Sequence, residues 1–377
     1  MKKIGTTCLA IILVLMAALS FAGCSNTGGN NKEPSPASLV TAESGGVAED
    51  AAPDESETGS VVVYTALEDE LTTEYLKDFK DRHPGIDVRL VRESTGIITA
   101  KMLAEKDNPV ADAVWGTAAS SMMVLDDQGM LEPYAPEGVE NILPNFKSDK
   151  PVPTWVGIDA WETAFVINGP ELEKLGMKAE DINGYQDLLN PKLKGHIEMP
   201  NPNSSGTGLL TVTGILQLNG KGTDEGWDYL VKLDRNVSQY VHSGSKPAKD
   251  AAAGECAVGV SFGYAGISQK AKGAPVETVF PKEGSGWDLE ANALMKKDGI
   301  NPAAETFLDW AISDSAMELY KGNYPIICNG KGGAYEGFSA DPVEQLISND
   351  FVWVANNRQD ILDEWMKRFD AKSAPVE

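Results

Sequence analysis

Residues 61–91 read VVVYTALEDELTTEYLKDFKDRHPGIDVRLV, and the fold class follows from this stretch. Val61 to Tyr64 is a β-branched run, as in a buried strand. Leu71, Tyr75, Leu76 and Phe79 then recur at helical spacing, and Pro84 stops the helix. Ile86 to Val91 alternates as a second strand. Further along, Ile98, Met102 and Leu103 mark a helix, Ala111 to Trp115 a strand and Ser120 to Leu125 a helix. This βαβαβ progression implies a parallel sheet covered by helices on both faces. A second set begins later: strand Gly195 to Met199, helix Gly208 to Leu218, then strands Ala257 to Phe262 and Val276 to Phe280. Trp310, Leu319, Leu362, Trp365 and Phe369 suit a mainly helical C-terminal part. Two α/β units in one chain suggest two lobes around a cleft.

The first residues are expected to be an address. Lys2 and Lys3 precede an apolar run, Cys8 to Leu19, too short to span a membrane stably and right for a signal peptide over residues 1–23. The run leads into Phe21-Ala22-Gly23-Cys24, which resembles a bacterial lipobox. That resemblance implies lipidation at Cys24 and attachment to the outer face of the cell membrane, without a spanning segment. Ser25 to Ser60 is rich in Gly, Ser, Asn, Pro and acids with no apolar period, so residues 24–60 should form a disordered, lipid-anchored linker. A coil of that length would reach roughly 30–35 Å root-mean-square. The chain has 377 residues with 32 Lys+Arg against 56 Asp+Glu, a net charge of −24, which disfavours nucleic acid as a partner. A small anion remains acceptable, because local amide dipoles outweigh a distant net charge. Three His and four Cys offer no dense metal or disulfide framework, and neither cofactor nor metal is expected.

Ligands of open α/β sheets sit beyond the carboxyl ends of the strands. There the sequence places Thr65-Ala66-Leu67-Glu68, Ser94-Thr95-Gly96, Gly116-Thr117 and the run Pro200 to Gly208. Small hydroxyl and Gly residues opening a helix expose N–H groups and add O–H donors, which hold an oxyanion without a formal positive charge. Each run alone is an ordinary cap and turn; several converging on one cleft suggest a phosphate-like group. Thr65, Ser94, Thr95, Ser204, Ser205, Gly206, Thr207, Ser243 and Tyr264 are the candidates for it. Acids near the same positions, Glu68, Glu162, Asp288 and Glu290, could receive an amine. Trp115, Trp161 and Trp287 could wall the site, where an ammonium gains about 0.5–2 kcal/mol from an aromatic face. The alternative for each acid is a solvated charge and for each Trp a place in the core.

The segments Tyr64 to Glu68, Ser94 to Lys101, Val114 to Gly116, Thr154 to Gly157, Met199 to Gly208, Tyr240 to Lys246 and Gly286 to Glu290, with the lipobox, resemble the extracellular substrate-binding lipoproteins of ABC importers. They are most similar to the 2-aminoethylphosphonate-binding subgroup of the ferric-iron-binding-like proteins. The resemblance implies a type II periplasmic-binding-protein fold, with residues 61–159 plus 286–372 as one lobe and 160–285 as the other. It also implies partnership with a permease and its ATPase, and a ligand carrying a phosphonate and an ammonium two carbons apart. The iron binders of the wider family use an adjacent Tyr-Tyr pair; here the region reads Phe262-Gly263-Tyr264, which counts against iron. Cys256 and Cys328 would fall in different lobes, which argues against a bridge.

Binders of phosphate, another small anion or ferric iron remain alternatives, as do a sensor subunit and an exported hydrolase of phosphorylated compounds. No enzyme is expected: His83, His196 and His242 are scattered, and neither a His-Glu-x-x-His motif nor a serine nucleophile elbow is anticipated.

Overall fold

The computed structural model describes residues 58–375. The expected signal peptide, Cys24 and nearly all of the linker lie outside them. Among the described residues no helix is long and apolar enough to cross a membrane.

The first half alternates as its sequence pattern dictates. Strand β1 (Gly59–Thr65), helix α1 (Asp69–Arg82), β2 (Ile86–Arg92), α2 (Thr95–Ala104), β3 (Ala113–Ala118), α3 (Ala119–Asp127) and the short β4 (Leu131–Glu132) come first. The long β5 (Val156–Asn168) leads to α4 (Gly169–Lys174), β6 (Ile197–Pro200), α5 (Gly206–Leu218), α6 (Asp224–Asp234) and β7 (Val237–Val241). Then follow α7 (Lys246–Ala253), β8 (Val258–Phe262), α8 (Gly263–Ala271), β9 (Val276–Val279) and β10 (Trp287–Met295). The chain ends in α9 (Pro302–Ala311), α10 (Asp314–Lys321), the short β11 (Ile326–Ile327) and α11 (Phe351–Phe369).

The strands run in the order β2-β1-β3-β10-β5-β8-β6-β7. β1 pairs in parallel with β2 and β3, and β6 with β7 and β8. The expectation of parallel sheets therefore holds at each flank. It misses the centre, where β10 is antiparallel to both β3 and β5, and β5 is antiparallel to β8. β5 joins the two regions: Val156–Glu162 lies against β10, and Thr163–Ile167 against β8.

Two apolar cores flank this axis. The first holds an aromatic group in which Trp115 meets Phe307 at 5.5 Å, Trp310 at 5.7 Å and Tyr75 at 6.1 Å between ring centres. Trp115 Nε1 donates to the Tyr320 hydroxyl at 3.1 Å. Trp115 is thus a core residue, and its expected place in a ligand wall is corrected. The second core packs Ile197, Met199, Val212, Val258 and Val260 with Ile361, Trp365 and Phe369 of α11. Helix α11 also packs on α3, so it reaches from one core to the other. Beyond it the chain runs beside β7, where the Ala374 N–H donates to the Tyr240 carbonyl at 2.8 Å. Cys256 and Cys328 are buried free thiols.

Candidate functional site

A cleft whose empty space, open solvent included, is about 500 Å³ opens where the parallel strands end. Its walls are built from strand ends: Ala66 and Glu68 after β1, Arg92, Ser94 and Thr95 after β2, Gly116 and Ala118 at the end of β3. From the other side come Ser205, Gly206 and Thr207 after β6, Ser243 and Gly244 after β7, and Phe262 at the end of β8. Trp161 of β5, Glu290 of β10 and Tyr324 close the remaining wall.

The cleft is rich in donors. Helices α2 and α5 both begin there. A helix start leaves its first N–H groups without intrahelical partners and carries partial positive charge. Ser94 stands at the α2 cap with no side-chain bond to its helix, whereas Ser205 Oγ accepts from the Gly208 N–H at 3.3 Å. The two starts touch: the Gly96 N–H donates to the Ser204 carbonyl at 3.0 Å. Glycine is required by that approach. A methyl at Gly206 would lie 2.7 Å from Thr95 Oγ1, and one at Gly244 would collide with Thr207 Oγ1. The Gly244 loop is held by Ser261 Oγ, which donates to the Gly244 carbonyl at 2.7 Å.

Acids and one cation line the same cleft. Glu68 Oε2 lies 3.2 Å from Arg92 Nη2 and accepts from Ser245 Oγ at 3.3 Å. Burial raises the Glu68 carboxyl above its usual range, and Arg92 opposes the shift. Glu290 is cross-strand partner to Asp159, and burial, with the negative charge of Glu162 near Asp159 and of Asp159 near Glu290, pushes both carboxyls well up. The ring of Trp161 stands edge-on to Phe262 with centres 6.0 Å apart.

Of the oxyanion candidates, Ser94, Thr95, Ser205, Gly206, Thr207 and Ser243 line the cleft; of the amine and wall candidates, Glu68, Trp161 and Glu290 do. The others are corrected. Thr65 is wholly buried and its Oγ1 accepts from the Leu67 N–H at 3.1 Å, shaping its own turn. Ser204 sits behind the wall, with Oγ 3.1 Å from His242 Nδ1, while His242 Nε2 lies 3.0 Å from the Ala374 carbonyl. Tyr264 packs on Tyr324 with ring centres 5.7 Å apart, and burial raises its phenol to about 12. Glu162 is buried outside the cleft, where desolvation raises it to about 8. Trp287 Nε1 donates to the Ile347 carbonyl at 2.9 Å, and its ring meets Phe351 at 4.9 Å. Asp288 braces the fold near the start of α3, where its Oδ2 accepts from Ser120 Oγ at 2.5 Å and its Oδ1 from the Leu289 N–H at 2.7 Å. Burial still raises it to about 6.

Sequence reasoning missed Arg92, Ala118, Phe262 and Tyr324 as lining residues. Arg92 had a signal, since it ends a strand immediately before Glu93-Ser94. It also missed that Gly259-Val260-Ser261-Phe262-Gly263 fits the Gly-x-Ser-x-Gly spacing of a serine nucleophile. Ser261 is fully buried within β8 and its hydroxyl is committed to the Gly244 carbonyl, so no nucleophile elbow forms. Among the described residues, no group of three or more His, Cys, Asp or Glu is arranged to hold a metal ion.

Residues 74–327 match the family model for bacterial extracellular solute-binding proteins, and the chain belongs to that family. An uncharacterized protein of Haemophilus influenzae is 30% identical over 322 residues, covering 82% of this chain and 90% of the relative. Two solved structures share the type II fold closely. The periplasmic binding protein AfuA of Actinobacillus pleuropneumoniae, with exogenous fructose-6-phosphate bound, has TM-score 0.75 and 29% identity, covering 83% of this chain and 99% of that one. The periplasmic binding protein P5PA has TM-score 0.75 and 32% identity, covering 82% and 99%.

Proposed function

We propose that this chain, the substrate-binding component of an ABC transporter, captures a small organophosphonate, 2-aminoethylphosphonate in the first instance. The observation that carries the reading is the meeting of two helix starts, α2 and α5, at a cleft that Glu68 and Glu290 also line. The donors of Ser94, Thr95, Ser205, Gly206, Thr207 and Ser243 suit a phosphonate. Glu68, Glu290 and the rings of Trp161 and Phe262 suit an ammonium.

The mechanism follows from the walls. Residues 61–159 plus 286–372 act as one lobe and 160–285 as the other, with the far end of α11 riding on the second. The ligand touches both, so its contacts are gained fully only when the lobes meet, and binding shifts the population to the closed form. The closed form, tethered through Cys24 at the outer face of the membrane, is the species presented to the permease. The likeness to a sugar-phosphate-bound protein supports a second ligand class, a phosphorylated sugar, whose hydroxyls would donate to the same carboxylates.

Calorimetric titration of the purified protein separates these readings. Tight binding of 2-aminoethylphosphonate, with ethylphosphonate and inorganic phosphate far weaker, is expected. Tight fructose 6-phosphate binding with no 2-aminoethylphosphonate binding would replace the first ligand by the second. Binding of ferric citrate alone would overturn both.

A further inference from the structure

At the wall of the cleft Asp159 and Glu290 lie opposite each other on the central strands β5 and β10. Asp159 is 0% exposed and Glu290 8%, and only Glu290 reaches the cleft. Both oxygens of Asp159, and Oε2 of Glu290, are buried with no N–H or O–H donor bonded to them. Two ionised carboxylates so placed would repel each other in a medium of low polarity, with nothing to offset the cost. One proton held between them removes the repulsion and leaves a single negative charge for the pair to present.

The neighbours reinforce this. Glu68 and Arg92 face the pair from the ends of β1 and β2, but they compensate each other at 3.2 Å. Glu162, next along β5, is raised to about 8 by burial and so is neutral at pH 7. Tyr75 of α1, Tyr320 of α10, Tyr324 and Cys328 also face the pair, and burial raises each of them, so they too carry no charge at pH 7. The Tyr324 hydroxyl is turned toward Glu290 and favours its charged form. The pair is therefore the uncompensated acid of the cleft wall.

We propose that Asp159 and Glu290 together form the ligand's ammonium subsite, sharing one proton in the free protein and releasing it to solvent when a cationic amine binds. This rests on the aminophosphonate reading and deepens it. The balance is simple: the amine arrives protonated and stays so, the shared proton leaves to water, and the ammonium then meets Glu290 at the wall, with the Asp159 carboxylate behind it. A hydroxyl in place of the amine brings no charge, and the pair keeps its proton.

The test is calorimetry near pH 8 in two buffers of different ionisation enthalpy, which counts protons released per ligand bound. For 2-aminoethylphosphonate we expect about one more proton released than for 2-hydroxyethylphosphonate, which shares the phosphonate. In Asp159→Asn that difference should vanish. In Glu290→Gln the affinity for 2-aminoethylphosphonate should fall roughly tenfold or more, with a smaller loss for the hydroxyl analogue. Beyond the acid band of Glu162, the free protein should show a second carboxylic-acid infrared band that disappears on binding the amine and is absent from both variants. An equal proton count for the two ligands, or a difference that survives in Asp159→Asn, overturns the proposal while leaving phosphonate capture intact. Should no phosphonate bind at all, the aminophosphonate reading and the ammonium subsite fail together. The infrared band then separates the shared proton, which persists, from the ligand assignment, which does not.

Discussion

Replacing Gly96 by alanine adds one methyl at the point where α2 meets the loop before α5. The added carbon would stand 2.7 Å from the Ser204 carbonyl carbon, 2.8 Å from its oxygen, and closer still to the Asn203 carbonyl oxygen. These are backbone atoms and cannot swing aside. The same approach carries the Gly96 to Ser204 hydrogen bond of 3.0 Å. Losing that bond costs about 0.5–1.5 kcal/mol and overpacking about 1–3 kcal/mol. Together they disfavour the closed form by about 2–4 kcal/mol, which converts to roughly 30- to 1,000-fold weaker ligand binding. Within α2 itself alanine is better than glycine by about 0.5–1 kcal/mol, so the ligand-free protein should melt no earlier than wild type. Calorimetry reads the affinity, small-angle scattering reads whether ligand still compacts the molecule, and thermal melting reads the fold. Wild-type affinity in Gly96→Ala would refute the reasoning, because it would mean that the two segments need not meet for the ligand to be held.

Three further outcomes follow from buried groups. Glu162 has an unfolded reference near 4.5 and a folded value of about 8. Between those values the unfolded chain has lost a proton that the folded chain keeps, so stability falls as pH rises through the window and levels off above it. Glu162→Gln should flatten part of that slope in melting curves taken between about pH 5 and pH 9; an unchanged slope would place the carboxyl in water. Asp288→Ala strands the Ser120 hydroxyl and the Leu289 N–H, and should cost about 1–3 kcal/mol of stability in urea titrations while leaving the preference for 2-aminoethylphosphonate over ethylphosphonate unchanged. A thiol reagent should leave Cys256 and Cys328 untouched in the folded protein and label both after unfolding without reductant. Labelling of neither after unfolding would reveal a bridge.

Much of the outer architecture was legible in the sequence. Val61 to Tyr64, Ile86 to Val91 and Ala257 to Phe262 carry the apolar runs that parallel strands need, and α1 and α5 carry clear helical signals. The central strands were not legible as strands. β5 reads VGIDAWETAFVIN and β10 reads WDLEANALM, each with two acids inside a fully or nearly fully buried segment. A carboxylate in such a run looks like a loop or a site. Here Glu162 is raised and neutral, Asp288 ties down the start of α3, and Asp159 with Glu290 faces the cleft wall. That Ser94, Thr95 and Ser205 to Thr207 would line a cleft was legible because hydroxyl and Gly residues opening a helix are a local pattern. The rest of the wall was not legible, because Phe262 reaches it through pairing of β8 with β5 and Tyr324 from a distant part of the chain, which no local pattern records.

The most direct measurement is a crystal structure of the protein with 2-aminoethylphosphonate bound. The phosphonate oxygens should lie within hydrogen-bond distance of the Gly206 and Thr207 N–H groups and the Thr95 hydroxyl, with the ammonium beside Glu290. A phosphonate seated instead on Arg92, with the amine turned toward the helix starts, would contradict the account.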